Sequence, residues 1–268
     1  MAKHKAQADN SFKKTVMILL LLILILSIVL IIKIKMTEHI ENEMQRKVSK
    51  VLDTIDVSDD TTTPISPINE RILKVEKLQK ENKDIIGWLE ISSTNISYPV
   101  LQGDDNNYYL KHNYKHEYIS TGSIFVDKNY DFNKPSDNLL IYGHRNKVGL
   151  MFDELIKYKD ESFYKEHKTI RFTTVTNDNQ YEILSAFYSR VYYTDETNVF
   201  RYYQFVNAES QEDYNDFVNN AKKASLYDTG LTANYGEQLM TLSTCDYSQK
   251  NGRFAIVAKK ISSVTKDD

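Results

Sequence analysis

Three residues in the C-terminal half of the chain have side chains that can carry out chemistry together. His144 follows the apolar segment NLLIYG, Cys245 ends the apolar segment QLMTLST, and Arg253 opens the segment RFAIVAKKI. Apolar segments of this length and composition are typical of strands. The Asn251-Gly252 pair directly before Arg253 is a strong turn signal. Each of the three residues is therefore predicted to lie at the end of a strand.

The three residue types together predict acyl transfer through a thioester. If the last two strands are antiparallel neighbours, Cys245 and Arg253 face each other across the connecting loop, which places a cation beside a thiol. A cysteine attacks as its thiolate, and nearby positive charge stabilises that form. Histidine is suited to protonate a leaving amine near neutral pH. An arginine fork can donate hydrogen bonds to the oxyanion of a tetrahedral intermediate.

Each residue also has an ordinary structural interpretation. Cys245 is the only cysteine of the chain, so it forms no intramolecular disulfide, and it can be a small buried apolar side chain. His144 can hydrogen-bond a loop at the end of its strand, and Arg253 can be a surface charge on an edge strand. Their coincidence at strand ends favours the catalytic interpretation.

The elements that must position these residues are mainly strands. Eight segments have the pattern of β-structure, and closing eight strands into a barrel would remove exposed strand edges. The sequence therefore predicts a mainly β fold with helical insertions. The predicted strands are 85–91, 96–101, 122–127, 138–143, 169–175, 180–193, 238–244 and 253–261. The predicted helices are one capped by Asn69 that ends near Lys83, one over 149–167, and one over 208–228 that is capped by Ser210.

Composition excludes collagen-like, coiled-coil and wholly disordered chains, and the net charge disfavours nucleic-acid binding. The chain has 268 residues, of which 41% are hydrophobic and 26% charged, as in ordinary globular proteins. Its formal charge is −3, with 34 basic and 37 acidic residues, so there is no net positive field to bind nucleic acid.

The N-terminal region predicts a membrane anchor. Residues 15–32 carry no charge, and eighteen helical residues span roughly 27 Å, enough to cross a bilayer core. No small-residue cleavage site follows, so we expect the segment to be retained. Basic residues flank the segment equally on both sides, and the commoner arrangement puts the short tail in the cytoplasm and the large domain outside. The expected organisation is a cytoplasmic tail (1–14), a transmembrane anchor (15–34), a helical stalk and linker (35–67) and an extracellular catalytic domain (68–268).

Three segments resemble the sortases, which are membrane-anchored cysteine transpeptidases of mainly Gram-positive bacteria. They are TLSTC (241–245), NGRFAIVAKKI (251–261) and LLIYGHRN (139–146), and the resemblance extends over roughly 68–264. The predicted helix over 208–228, between the sixth and seventh strands, together with the N-terminal helix, is similar to class B sortases. The family's eight-stranded β-barrel agrees with the number of strands predicted above.

The resemblance implies a role for each residue of the trio. Cys245 would attack the carbonyl of a Thr within a C-terminal sorting pentapeptide of a surface protein and form an acyl-enzyme. His144 would protonate the departing amine and deprotonate the incoming one, while Arg253 would hold the substrate and stabilise the oxyanion with backbone N–H groups around Cys245. The acceptor would be an amino group of a lipid-linked peptidoglycan precursor. The loop before the seventh strand holds the inserted helix without ligand-like acidic spacing, so we expect no metal and no other cofactor.

The same resemblance assigns the peptide groove. By motif position, Asn106, Leu110 and Ser243 would line it, and Phe200 would form an apolar wall. Leu110 and Phe200 can equally belong to the barrel core. Tyr142 is expected to point to the opposite face of its strand and is left out of the groove.

Two other functions remain open from the sequence. One is a pilin-polymerising or housekeeping sortase, against which the inserted helix argues. The other is a catalytically silent sortase-like domain that binds a partner at the membrane. The presence of the cysteine, the histidine and the arginine disfavours the silent domain.

Overall fold

A computed structural model describes residues 2–56, 66–146 and 149–266. The chain divides into two compact units, residues up to Met44 and Gln45–Asp268. Helix α1 is Ala2–Val48, so the described part of the first unit is this helix up to Met44, and the last turn of the helix belongs to the second unit. Over Lys13–Val48 this helix is long and apolar enough to cross a membrane, by length and composition. The predicted anchor and most of the predicted stalk are thus helical, whereas residues 57–65 of the predicted linker lie outside the described residues.

Eight strands form a closed barrel, as the sequence predicts. They are β1 (Ile85–Glu90), β2 (Ser97–Leu101), β3 (Ile124–Val126), β4 (Asn138–Tyr142), β5 (Thr169–Thr173), β6 (Asn177–Arg190), β7 (Leu239–Cys245) and β8 (Gly252–Thr265). The order around the barrel is β1-β2-β3-β4-β7-β8-β6-β5, with parallel pairs β2–β3 and β4–β7. Strands β7 and β8 are antiparallel neighbours, which confirms the pairing assumed for the trio.

Each region that the sequence predicts to be helical contains a helix, but some of the caps, bounds and helix types differ from the prediction. Helix α2 is Val51–Thr54, and α3 is Pro67–Glu81. The N-cap of α3 is Ser66 rather than Asn69: the Ser66 hydroxyl accepts from the Asn69 backbone N–H (3.2 Å), and Pro67 suits the first turn. The predicted helix over 149–167 is instead a 3-10 helix, Asp153–Lys159, followed by α4 (Glu161–Glu166). Helix α5, Gln211–Ala224, has the predicted cap, because Ser210 accepts from the Asp213 N–H (3.1 Å).

Two apolar clusters hold the barrel. The larger fills its interior and includes Trp88, Phe172 and Phe254, each at most 2% exposed. The smaller lies between α5 and strands β6, β7 and β8, where Tyr214 and Phe217 pack against strand residues such as Phe187. The second cluster fixes the outer face of the two strands that carry Cys245 and Arg253.

The compact barrel unit begins well before residue 68. Gln45 is 2% exposed, and its amide donates to the Thr121 hydroxyl and the Gly122 carbonyl, both at 2.9 Å. Val48 and Leu52 are buried in the larger apolar cluster. The segment between the predicted anchor and the predicted domain therefore contributes to the barrel's core.

We predict that a fragment starting at Gln45 is more stable than one starting at Ile68. Loss of two buried aliphatic side chains and the Gln45 hydrogen bonds lowers the free energy of unfolding by about 4 kcal/mol. Urea unfolding of the two fragments measures the difference. As a control, Gln45→Ala with Leu52→Ala in the longer fragment should reproduce most of the loss. Equal midpoints and slopes for both fragments would contradict the contribution of this segment.

Candidate active site

Strand pairing brings the three predicted residues to one end of the barrel. In the parallel β4–β7 pair, Tyr142 lies opposite Ser243, so His144, just after β4, and Cys245, the last residue of β7, lie at the same end of the barrel. Cys245 lies directly opposite Arg253 in the antiparallel β7–β8 pair. The turn before Arg253 has Asn251 at φ 56°, the left-handed conformation that the Asn-Gly signal favours.

His144, Cys245 and Arg253 line one open cavity of about 250 Å³. Strands β4, β7 and β8 supply most of its floor, and the loop after β2 supplies one wall. Ser243, Asn106 and Leu110, three of the four residues predicted for the peptide groove, also line it. The remaining lining residues are Phe125, Tyr142, Gly143, Val191, Tyr202, Tyr203 and Thr244.

The His144 ring is held by a backbone carbonyl. Its Nε2 lies 2.9 Å from the Leu110 oxygen, which ends a 3-10 turn, Tyr108–Leu110. A carbonyl oxygen only accepts, so Nε2 carries the proton in this hydrogen bond and Nδ1 is left for proton transfer. Burial of the ring lowers the pKa of His144; the Leu110 contact opposes this and the Arg253 charge adds to it. The neutral imidazole is thus the favoured resting form near neutral pH.

Cys245 is partly exposed and is a free thiol. The Arg253 guanidinium is anchored at one nitrogen: Nη1 donates to the Gly252 carbonyl at 2.9 Å and to the Asn251 carbonyl at 3.4 Å. The turn that precedes Arg253 therefore also fixes the direction of its side chain. A partly exposed nucleophile beside an anchored guanidinium is suited to attack a carbonyl and to stabilise the resulting oxyanion.

A buried carboxylate accepts hydrogen bonds from two side chains that line the cavity wall. Asp127 is 3% exposed, and its Oδ2 accepts from Asn106 Nδ2 (2.9 Å) and from the Tyr142 hydroxyl (3.1 Å). Burial and the Asp127 charge raise the pKa of Tyr142, so its hydroxyl remains a donor. Ser243 Oγ and the Tyr202 hydroxyl are 2.7 Å apart and buried. These pairs hold the polar groups of the wall in fixed positions.

The prediction for Tyr142 is wrong, because this residue lines the cavity. Side chains two positions apart in a strand share a face, so the alternation that places His144 at the end of the strand also places Tyr142 on that side. Sequence alternation was sufficient to find Tyr142. Tyr202 and Asp127 could not be found in this way, because they are distant from the trio in the sequence and no residue pattern marks a buried hydroxyl or a buried carboxylate.

Phe200 lies away from the cavity lining among the described residues. Its ring packs against Phe187 and Phe217, with centroids 5.8 Å and 5.5 Å away, in the smaller apolar cluster. Helix α5 supplies Phe217, so the inserted helix draws Phe200 toward its own core. The core interpretation of Phe200, rather than the groove wall, is therefore the one that its contacts support.

Comparison with known proteins identifies the family. Residues 89–261 match the model of the sortase domain. The chain therefore belongs to the sortase family, whose members are cysteine transpeptidases. Its relatives within the family include class B enzymes: it is 36% identical over 188 residues to sortase B of Staphylococcus aureus, a match that covers 69% of this chain and 74% of the relative.

Two solved structures support the class assignment. A Staphylococcus aureus sortase B–substrate complex superposes with a TM-score of 0.65 at 31% identity and covers 82% of this chain and 94% of that one. A sortase B complexed with triglycine gives a TM-score of 0.67 at 30% identity, with coverage of 85% and 98%. The predicted resemblance to class B sortases and the predicted barrel are confirmed.

We predict that the imidazole of His144 titrates below the ordinary histidine pKa of about 6.5. Burial disfavours the imidazolium, and the Arg253 charge acts in the same direction, so Arg253→Met should shift the midpoint upward. NMR titration of the ring signals measures both values. The sign for folding follows, since the unfolded chain binds this proton more readily, and stability falls as the pH drops through this range.

The Cys245→Ala variant is the control for that titration. If the resting enzyme held a thiolate–imidazolium pair, the His144 midpoint would lie above the ordinary value and removal of the thiol would lower it. A midpoint above about 6.5 that falls in Cys245→Ala would contradict the neutral resting imidazole.

Proposed function

We propose that the protein cleaves a C-terminal sorting signal of surface proteins after a Thr and transfers the new carboxyl end to an amino group of a peptidoglycan precursor. The observation that carries this proposal is the shared cavity of a free thiol, an imidazole and a guanidinium at matched strand ends. These groups supply a nucleophile, a proton carrier and an oxyanion donor, which acyl transfer to and from a thioester requires.

The first half-reaction releases the distal part of the sorting signal. His144 Nδ1 takes the thiol proton as the Cys245 sulfur attacks the Thr carbonyl carbon, and the carbonyl oxygen becomes an oxyanion beside Arg253. His144 Nδ1 delivers a proton to the departing amine as the carbon–nitrogen bond breaks, which leaves a thioester on Cys245. The backbone N–H of Asp246, the residue after Cys245, already donates to the Gly252 carbonyl (2.9 Å) and so is not available to the oxyanion. This favours the Arg253 fork as the principal oxyanion donor.

The second half-reaction runs in the opposite direction with a new amine. The acceptor nitrogen attacks the thioester carbon, His144 takes its proton, and the sulfur leaves as the new amide bond forms. The solved sortase B complexes with a substrate and with triglycine support a peptide donor and an amino-group acceptor for this chain. We infer that the acceptor is lipid-linked, because an anchored enzyme meets such a precursor at the membrane.

The proposed location follows from the apolar helix. Residues 1–14 would lie in the cytoplasm, 15–34 in the membrane and the barrel outside the cell, where surface proteins are attached to the cell wall. The domain that starts at 68 in this scheme is supplemented by Gln45–Thr54, whose apolar residues pack in the barrel core.

Substrate binding is assigned to three of the four predicted groove residues. Asn106, Leu110 and Ser243 line the cavity, and the contacts of Asn106 with Asp127 and of Ser243 with Tyr202 preorganise their polar groups. Phe200 is replaced in this assignment by Tyr142, whose ring faces the same cavity. An open cavity over the trio argues against the silent binding domain, which needs a blocked groove.

We predict that a matching sorting peptide leaves an acyl adduct on Cys245. The full-length protein is incubated with a panel of such peptides, and intact-mass spectrometry follows the adduct, which should disappear when an amine acceptor is added. Cys245→Ala should form no adduct and remain folded, while His144→Ala should acylate far more slowly. Turnover of the peptide by Cys245→Ala at the wild-type rate would contradict the proposed mechanism.

We predict that Arg253→Lys lowers kcat by roughly 100-fold or more, as loss of an oxyanion donor does. An ammonium group is a point charge that lacks the planar fork, so it cannot keep its turn contacts and also reach the oxyanion. Steady-state cleavage of the matching peptide measures the loss. Arg171→Lys is the control, because Arg171 pairs with Asp178 on β5 and β6 (3.5 Å), away from the cavity lining. Equal rates for both variants would remove Arg253 from the mechanism.

A further inference from the structure

A single guanidinium connects the two chain segments that carry the proposed nucleophile and the proposed proton carrier. Arg145 directly follows His144, and Asp246 directly follows Cys245. Arg145 Nη1 donates to Asp246 Oδ2 at 3.3 Å, and Arg145 Nε donates to Asp153 Oδ1 at 3.1 Å. The side chains of Arg145, Asp246 and Asp153 are 21%, 5% and 17% exposed, so water screens these ion pairs only in part.

This connection begins where the pairing of β4 with β7 ends. The β4–β7 pairing stops at Tyr142 and Ser243, and Gly143 N–H donates to the Ser243 carbonyl (3.1 Å) as its last backbone link. Beyond it the two segments are joined through side chains. Thr244 Oγ1 donates to the Gly143 carbonyl (2.8 Å), and Arg145 binds Asp246. Beyond the last β4–β7 pair, the guanidinium thus links the two segments next to the proposed nucleophile and the proposed proton carrier.

Other contacts fix the guanidinium and both carboxylates. Asp153 Oδ2 accepts from the Gly149 N–H (2.9 Å), and Asp246 Oδ1 accepts from the N–H (3.0 Å) and the hydroxyl of Ser248. The Tyr247 hydroxyl donates to the Arg145 carbonyl (2.8 Å), and the guanidinium carbon lies 5.5 Å from the centre of the Tyr247 ring. An arginine can serve two carboxylates in this way because its donors are held in one plane.

Among the described residues, no hydrogen bond joins Asp246 to the imidazole of His144. The Nε2 of His144 is bonded to the Leu110 carbonyl, and both oxygens of Asp246 are bonded to Arg145 and Ser248. Asp246 therefore acts on Arg145, and any effect on the reaction passes through the position of the two strand ends.

We propose that Arg145 is a positioning residue that holds Cys245 and His144 at their working separation, with Asp246 as its anchor; this inference rests on the proposed function of those two residues. Rates of group transfer respond steeply to small misplacements of the reacting groups. Arg145→Met should lower kcat for peptide cleavage roughly 100-fold, as a misplacement of about 1 Å does, while KM changes little.

The test compares full-length variants with a matched control. Arg71→Met breaks the Arg71–Glu90 pair, which has similar exposure (26% and 24%) but joins α3 to β1 away from the cavity lining, and it should leave kcat unchanged. Asp246→Asn should lower kcat in the same sense as Arg145→Met. The double variant at 145 and 246 should fall no more than about twofold below Arg145→Met, because both changes break one interaction.

A second readout separates position from a change in the thiol itself. Alkylation of Cys245 by iodoacetamide needs no histidine at a fixed distance, so its rate in Arg145→Met should stay within about twofold of wild type. Thermal unfolding should match that of Arg71→Met. If Arg145→Met does not fold, Arg145→Lys replaces it in the test, because lysine keeps the charge but not the fork. Its kcat should lie between that of the wild type and the roughly 100-fold lower value expected for Arg145→Met.

The outcomes distinguish this inference from the proposed function. Wild-type kcat in Arg145→Met, a loss seen only in KM, or a parallel fall in alkylation would overturn the positioning role. Peptide turnover by Cys245→Ala would overturn the proposed function instead. An inactive Cys245→Ala beside a fully active Arg145→Met would leave the function standing and remove only the role of Arg145.

Discussion

The parallel pairing of β4 with β7 is the constraint on which the site depends. Strands in parallel register end at the same edge, so residues that follow β4 and residues that end β7 meet there. With an antiparallel pairing, His144 would lie at the far end of a five-residue strand, roughly 17 Å from Cys245. Because β8 returns antiparallel to β7, Arg253 is delivered to the same edge.

A parallel pair needs a long crossover, and here the crossover also supports the site. The chain between β4 and β7 contains β5, β6 and α5, and α5 covers the outer face of the strands that carry Cys245 and Arg253. Phe200 belongs to that covering layer. The inserted helix thus acts on the site through the packing of the strands behind it, while the wall of the cavity is provided by Tyr142 and the loop that ends at Leu110.

Sequence reasoning succeeded where the signal was local. Apolar runs located all eight strands, the Asn251-Gly252 pair located the last turn, and Ser210 was recognised as a cap from its hydroxyl and the helical pattern after it. It failed for contacts between distant segments. The Leu110 carbonyl that orients His144 is a backbone atom that any residue provides, and the buried Asp127 is 17 residues from His144 in the chain. Neither leaves a pattern in the sequence.

The electrostatics of the cavity suit the two tasks assigned to its histidine. Burial and the Arg253 charge both weaken the imidazole as a base, and a weaker base is a stronger acid once protonated. A proton received from the thiol during attack is therefore passed on readily to the departing amine, whose nitrogen is far more basic. In the proposed mechanism Arg253 contributes to both events, because the charge that lowers the pKa of His144 would also stabilise the oxyanion. The proposed order of events agrees with this arrangement: the imidazole would be neutral until sulfur attacks and would act as an acid only while the tetrahedral intermediate exists.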